Sequence, residues 1–457
     1  MSNYTTRKTC RVCGSEDLTF LFSLGEQYVS DFVERSEIKQ GNKVPIDIEK
    51  CNNCSLVQAK HTAPADILYK GTYWYRSGVT DTMKAALRDV TRSIEERVNL
   101  VSGDLVLDIG SNDGTLLRSY ENKKLDTVGV EPAKNLVDEG RVGVKVLLND
   151  LWSYGVWQSA FKYTLKAKVI TAIGMFYDLE DPNQFIRDVA LTLHEDGLFV
   201  AQLMCLKQTL EKRDVGNFAH EHLEFYTLKS LEYLFKLHRL QIVEIEENSV
   251  NGGSYRLYVR HESYVNSKLT IEGSVGHMAK SLTGVDVVMN LDAVTCRKLL
   301  GTFFQEISRN RMACIKFVQD AAVEGKRVWV YGASTKGNVI LQWYGLHNTI
   351  KCPRCGGAGS RNDMDITSDM PMTCKACNGS NVISLVEGAA DRDPNKWGKY
   401  TVGTSVPIMS EEHARSAKPD YFLVMPYSFR DEFLAREAEF RKRGGKFLFP
   451  LPKFEVV

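Results

Sequence analysis

The stretch Leu105-Val-Leu-Asp-Ile-Gly-Ser-Asn-Asp-Gly-Thr115 decides how the chain is read. Leu105–Ile109 has the pattern of a buried strand. Gly110 and Gly114 then turn the chain into a helix starting at Thr115. Glycines at such a turn let backbone approach a ligand closely, and the N-terminus of the following helix faces it. The spacing is Gly110-x-x-x-Gly114, not G-x-G-x-x-G, so a dinucleotide is disfavoured.

Around this turn, strands and helices alternate. Strands are expected at Thr127–Val130, Val146–Leu148, Val169–Ile173 and Leu198–Gln202, with helices at Thr115–Tyr120 and Gln184–Leu193. Ahead of them, Met83, Leu87, Val90, Ile94 and Val98 recur at three- and four-residue steps, giving a helix over Asp81–Leu100 with Asp81 as its cap. Alternation of this kind implies a parallel sheet covered on both faces. The pattern restarts after about residue 255. A helix-rich segment, Val287–Val323, leads to a strand at Arg327–Tyr331, a glycine turn and a helix through Leu346. Strands follow at Ile383–Glu387, Tyr421–Met425 and Lys446–Phe449, with a helix at Arg430–Arg443.

Asp108 sits at the end of its strand, where a carboxylate suits a cationic or amine-bearing ligand better than a diphosphate. Glu131 ends the next strand, where an acid can accept both hydroxyls of a ribose. Together they fit S-adenosylmethionine, with the sulfonium and amine near Asp108 and the ribose on Glu131. Met175–Pro182, with Phe176 and Tyr177, is expected to line the same cleft.

The 457 residues suffice for two to four domains. With 58 Lys+Arg against 57 Asp+Glu, the chain lacks the basic excess of a nucleic-acid binder. Neither a membrane-length apolar run of ~18 residues nor an apolar leader after MSNYTTRKTC is visible, so a cytoplasmic location is expected. Oligomeric state is left open. Eight of the eleven cysteines form C-x-x-C pairs: Cys10/Cys13, Cys51/Cys54, Cys352/Cys355 and Cys374/Cys377. Paired thiols in a chain without an export signal point to metal rather than disulfides. Eighteen residues separate Cys355 from Cys374, a zinc spacing; thirty-seven separate Cys13 from Cys51, a looser match. Four thiolates saturate tetrahedral Zn²⁺, so two structural sites are expected. The segment 351–382 reads as a zinc-ribbon-like insert at a surface connection.

Ordered motifs along nearly the whole chain resemble a known family, the three-domain sugar C-methyltransferases acting on nucleotide-linked keto-deoxysugars. They are the N-terminal cysteine pairs, Tyr73-Trp-Tyr-Arg-Ser77, Asp108-Ile-Gly-Ser-Asn-Asp-Gly114, Glu131-Pro132, Ala172-Ile-Gly-Met-Phe-Tyr-Asp-Leu-Glu-Asp-Pro182, His220-Glu-His222 and Asn251-Gly-Gly-Ser254. The C-terminal part adds Tyr331-Gly-Ala-Ser-Thr-Lys-Gly-Asn338, Asp391-Arg-Asp-Pro394 and Pro419-Asp-Tyr421. The resemblance implies an α/β fold with three parts: a zinc-binding domain over 1–75, a class I (Rossmann-like) methyltransferase domain over 76–255, and a second α/β domain for substrate over 256–457. It implies zinc, S-adenosylmethionine and a nucleotide sugar held between the last two parts. Two departures stand out. Ala219 replaces the tyrosine that sugar-methylating members commonly place before His-Glu-His, and the 351–382 insert lies outside the usual pattern.

Methylating carbon requires a removable proton beside a ketone. His222 is the expected base, Glu221 orients it or holds a sugar hydroxyl, and Tyr75 donates to the developing oxyanion. The resemblance and the turn together assign Asp108, Gly110, Asn112, Gly114, Glu131 and Phe176 to the cofactor. Ser254, Ser334, Lys336 and Asn338 go to the nucleotide sugar, the last three around a helix start that attracts phosphate. His220 is left open. Two other readings stand: an O- or N-methyltransferase with another acceptor, and a non-enzymatic zinc module that holds a partner.

Overall fold

The computed structural model describes residues 4–38, 40–69, 72–161, 165–269, 275–352, 360–361, 372–373, 380 and 382–457. Its contacts group the chain into two compact units. The first comprises Met1–Phe22, Asp47–Thr209 and Glu221–Leu299; the second comprises Ser23–Ile46, Leu210–His220 and Leu300–Val457.

The first unit is built on a seven-stranded sheet: β1 (Leu105–Ile109), β2 (Asp126–Val130), β3 (Val146–Leu148), β4 (Ala167–Ile173), β5 (Leu193–Met204), β6 (Leu240–Asn248) and β7 (Ser254–His261). Their order is β6-β7-β5-β4-β1-β2-β3. Strands β1 to β5 run parallel, while β7 is antiparallel to both β5 and β6. The sheet is therefore mixed rather than wholly parallel. The β6–β7 pair carries Arg256 and several Glu among its apolar residues, which hides a strand's periodicity.

Alternation along β1 separates two cores. Leu105, Leu107 and Ile109 face a layer containing Phe176, Phe199 and Tyr226, while Val106 packs with Leu87, Val90 and Ile94 of helix α1 (Asp81–Arg97). The cap of α1 is Thr80, whose hydroxyl accepts from the Met83 amide, and not Asp81. Helix α2 (Thr115–Ser119) follows the glycine turn, and α3 (Pro182–Thr192) starts at Asp181, whose carboxylate accepts from the Gln184 amide. Cys10, Cys51 and Cys54 belong to the same core as Leu105 and Phe176, so the cysteine module shares the sheet's apolar layer instead of building its own.

The second unit has a six-stranded sheet of β8 (Val328–Tyr331), β9 (Ala389–Asp391), β10 (Ile408–Ser410), β11 (Tyr421–Val424), β12 (Lys446–Phe449) and β13 (Glu455–Val456), in the order β10-β9-β8-β11-β12-β13. The long helix α4 (Val275–Val323) precedes β8 in the chain, and helix α5 (Thr335–Tyr344) leaves it. The strand expected at Ile383–Glu387 is displaced. Val382–Ser384 instead pairs antiparallel with Thr349–Lys351, which zips together the two ends of the insert, and Ala389–Asp391 takes the place in the sheet. The expected helix Arg430–Arg443 is broken at Glu437, whose buried carboxylate accepts from Tyr331 and Arg415. No helix among the described residues is long and apolar enough to cross a membrane.

Phe176 is fully buried, stacked on Tyr226 at 5.3 Å and on Phe235 at 6.0 Å, and is a core residue rather than a cofactor contact. Phe176→Leu should lower unfolding stability by about 1–3 kcal/mol and leave cofactor affinity within about twofold, well inside the tenfold per ~1.4 kcal/mol that a lost contact approaches. Urea unfolding and calorimetric titration read the two quantities separately.

Candidate active site

The turn after β1 forms the floor of a cavity of about 390 Å³ in the first unit, within the range of small-molecule sites. Gly110 has φ +71, and a Cβ there would lie 2.9 Å from Met175 Cγ, so only glycine leaves the floor open. Gly114, at φ +77, caps α2, and a Cβ would press on the Gly140 carbonyl at 2.8 Å; it shapes the turn without lining the cavity. Glu131 is on the wall. One of its oxygens accepts from the Asn112 amide at 2.9 Å and the other from Ala133 at 2.8 Å, pinning the end of β2 to the turn. Burial raises its pKa.

Asn112 also lines the cavity, with a second task. Its side-chain amide donates to the Tyr75 carbonyl at 3.1 Å and its oxygen accepts from the Ser77 amide at 3.0 Å. Asp113 accepts from the Gly78 amide at 2.6 Å, and Asn135 exchanges two hydrogen bonds with the backbone of Tyr73. These bonds hold Tyr73–Gly78 as a strap over the turn and place Tyr73, Tyr75 and Ser77 on the wall. Tyr75 is 46% exposed, yet enough protein surrounds its phenol for burial, helped by the Asp113 charge, to push it up to about 12 against the pull of Ser77. The phenol therefore stays a donor at neutral pH.

Among the described residues, the wall carries four carboxylates, Glu131, Asp178, Glu180 and Asp181, and no lysine, arginine or histidine. Leu151, Trp152, Pro132 and Ala133 add apolar surface beside Glu131. Asp108 is not on the wall. It lies beneath, 4% exposed, accepting from the Thr171 hydroxyl at 2.6 Å; burial, and secondarily the Glu131 charge, raise it to about 7. A direct grip on the ligand's amine is thus replaced by a charge under the floor.

Of the expected catalytic groups, His222 stands against Tyr177, Glu221 meets Tyr69, and Tyr75 is on the cavity wall. The His222 ring stands edge-on to Tyr177 at 4.9 Å, and the Tyr177 carbonyl accepts from the Leu223 and Glu224 amides at 2.9 and 3.0 Å. The Glu221 carbonyl accepts from the Tyr69 hydroxyl at 3.1 Å. Burial, then the charges of Asp178, Tyr75 and Glu221, raise the Tyr177 pKa. Tyr69 and Tyr73 also line the cavity, and the aromatic spacing of 69, 73 and 75 is the signal for them; from the expected stretch Met175–Pro182, the wall takes Met175, Asp178, Leu179, Glu180 and Asp181. His220 belongs to the second unit. Its Nε2 meets the Val44 carbonyl at 2.9 Å, and burial lowers it to about 4, so it is a neutral structural group.

Of the expected sugar-nucleotide contacts, Ser254 is buried and donates to Val250 at 2.9 Å. Within the second unit, Ser334 accepts from the Gly337 amide at 3.0 Å and Lys336 donates to Asn217. Asn338 is 1% exposed, accepts from Thr404 at 2.9 Å and donates to Val402 at 3.3 Å, so it is an interior residue and not a ligand contact.

The sulfurs of Cys10, Cys13, Cys51 and Cys54 all lie within 4.8 Å of one another, with Cys10–Cys54 and Cys13–Cys51 at 3.5 Å. Zinc bonded to four thiolates at ~2.3 Å sets sulfurs about 3.8 Å apart, so the cluster fits one structural ion. A hydrogen bond from Cys54, opposed by burial and helped by nearby amides, holds Cys10 down at about 5, which favours the thiolate. Of the second cluster, Cys355, Cys374 and Cys377 lie outside the described residues; Cys352 is buried.

Parallel strands, a glycine turn under an acid-lined cavity and Glu131 beside it define a Rossmann-like S-adenosylmethionine-dependent methyltransferase. Three family models match in succession: a zinc binding domain over 10–69, a methyltransferase domain over 82–245, and a C-methyltransferase C-terminal domain over 249–352 and 380–452. The C-methyltransferase NovU of Streptomyces niveus is 26% identical over 452 residues, covering 98% of this chain and 96% of that one. Solved structures that match include a methyltransferase of Clostridium acetobutylicum (16% identity, 40% of this chain, 93% of that one, TM-score 0.30) and the plantazolicin methyltransferase BpumL (12%, 40%, 86%, 0.31). The chain is an S-adenosylmethionine-dependent methyltransferase related to NovU, with the three parts that the matching family models describe.

An Asp108 that titrates near 7 is neutral at pH 6 and charged at pH 8. The preference for cationic S-adenosylmethionine over neutral-sulfur S-adenosylhomocysteine should therefore rise about threefold across that interval, a fraction of the ~1.4 kcal/mol carried by one full pKa unit. Asp108→Asn should flatten the rise. Calorimetry at the two pH values checks it.

Proposed function

We propose that the protein methylates the carbon beside the ketone of a nucleotide-linked deoxysugar through an enolate. The observation that carries this reading is the His222 ring standing against Tyr177, next in sequence to the cavity-wall loop, with Tyr75 on the wall of that acid-lined cavity. The C-methyltransferase family of the C-terminal match supports carbon as the target.

Gly110, Asn112 and Glu131 would hold the cofactor, with Leu151 and Trp152 flanking its base. When bound, it supplies a methyl group on a sulfonium, a cation that suits a wall of four carboxylates. His222 takes the proton from the acceptor carbon, and the C–H electron pair passes into the enolate. The Tyr75 phenol donates to the enolate oxygen. Glu221, whose charge raises the pKa of Tyr69, Tyr73 and Tyr177, holds a sugar hydroxyl. The segments 1–75, 76–255 and 256–457 divide these tasks, and the successive family matches support that division.

His222→Asn should cut turnover about 10²–10⁴-fold while cofactor affinity stays within about twofold, well short of the tenfold per ~1.4 kcal/mol of a lost contact. In heavy water, wild type without a methyl donor should exchange deuterium into the carbon next to the ketone of a nucleotide 4-keto-deoxysugar. Methyl transfer to oxygen or nitrogen with no such exchange sinks the enolate reading. We also propose that Cys352, Cys355, Cys374 and Cys377 hold a second structural zinc. Elemental analysis should find about two zinc ions per chain, falling to about one in Cys374→Ser/Cys377→Ser with cofactor affinity unchanged; one zinc in wild type rejects the second site.

A further inference from the structure

We propose that Arg11 is a positioning residue that ties the first cysteine cluster to the cofactor cavity. It goes beyond the acceptor reading and is tested on cofactor affinity alone.

Arg11 sits between two metal ligands, Cys10 and Cys13, and its amide donates to Gln58 Oε1 at 2.9 Å, so the cluster fixes where its side chain starts. That side chain is fully buried. The guanidinium donates to the Ala59 carbonyl at 2.5 Å, Thr62 Oγ1 at 2.7 Å and Glu180 Oε2 at 3.1 Å, and lies 3.7 Å from Glu224 Oε1. Glu180 is on the cavity wall, in the same loop as Asp178, Leu179 and Asp181. The loop is tied on both sides of Glu180. Glu224 accepts from the Leu179 amide at 3.2 Å, and Asn183 donates to the carbonyls of Arg11 and Val12, each at 2.9 Å.

A cysteine knuckle has no need of a buried cation between its ligands. Placing a charge in the interior is costly unless it is paired, and here both acidic partners belong to the cavity loop or to the strand Glu224–Phe225 that follows Glu221-His222. Without the guanidinium, Glu180 would lose the charge that does most to keep it ionised, and the wall segment 178–181 would lose its lateral support. Arg11 thus sets the position of that wall from the metal side.

The test measures S-adenosylhomocysteine affinity by calorimetry, together with zinc content, on wild type, Arg11→Met, Arg11→Lys, Glu180→Gln and Arg11→Met/Glu180→Gln. Arg11→Met should keep its first zinc and bind about tenfold more weakly, as expected within one hydrogen-bond network. Arg11→Lys should recover part of the loss, because an ammonium replaces the charge but not the planar fork. The double variant should bind no more weakly than Arg11→Met. Affinity within twofold of wild type in zinc-loaded Arg11→Met, or additive losses in the double variant, overturns the proposal. Should Arg11→Met fail to fold, Glu180→Gln carries the test, with a severalfold loss supporting the proposal and unchanged affinity rejecting it.

Discussion

The first unit depends on a charge that has been taken out of water. Arg11 has no exposed side chain, and its guanidinium is answered by Glu180, Thr62, the Ala59 carbonyl and the more distant Glu224. Burial opposes ionisation of Glu180, but Arg11, Thr62 and Arg7 together hold it below the usual carboxylate range. Glu224, with no exposure, is instead pushed up by burial despite Arg11. The pairing is therefore unequal, and most of the cation's compensation comes from Glu180. Removing one partner of such a group typically costs about 3–5 kcal/mol, because the other is left buried and alone. Three sequence-distant pieces are joined by this one group: the cysteine knuckle, the loop after β4 and the strand that follows His222.

The cavity follows a complementary electrostatic rule. Four acids on the wall and Asp108 beneath the floor surround a space whose described lining carries no cationic side chain. Such an acidic wall suits a positively charged ligand. Its shape comes from backbone bonds rather than from charge. Glu131 accepts from the Asn112 amide of the turn and from the Ala133 amide, and Asn112 grips the strap by accepting from the Ser77 amide and donating to the Tyr75 carbonyl. Residues that look like ligand contacts in a motif thus also carry the scaffold, and for Asn112 the scaffold bonds are the ones seen.

Much of the first unit was legible because its strands are buried on both faces and bounded by turn residues. Leu105–Ile109, Val146–Leu148 and, in the second unit, Lys446–Phe449 could be bounded to the residue. The β6–β7 pair was not legible, since a half-exposed edge carries charges that blur a period of two. Nor could the sequence separate Phe176 from its neighbours. A Met-Phe-Tyr-Asp run says that some of these residues face the ligand; only packing against Tyr226 and Phe235 turns Phe176 inward and leaves Met175 and Asp178 on the wall. Asn338 misled for a similar reason: a polar residue after a helix start suggests a ligand, while its partners Thr404 and Val402 are over sixty residues away.

The sequence by itself determined the class of fold, the glycine turn, the acid that ends β2 and the pairing of cysteines into a metal cluster. These are local properties: φ above zero at a glycine, a carboxylate at a strand end, a two-residue spacing between thiols. Tertiary structure decided which side chains face the cavity, that Asp108 lies under it, that His220 is structural while His222 stands against Tyr177, and that Arg11 spans from metal site to cavity wall. Each depends on contacts between residues tens to hundreds of positions apart. Burial and charge at such places are set by the partner that packing supplies, which local pattern does not encode.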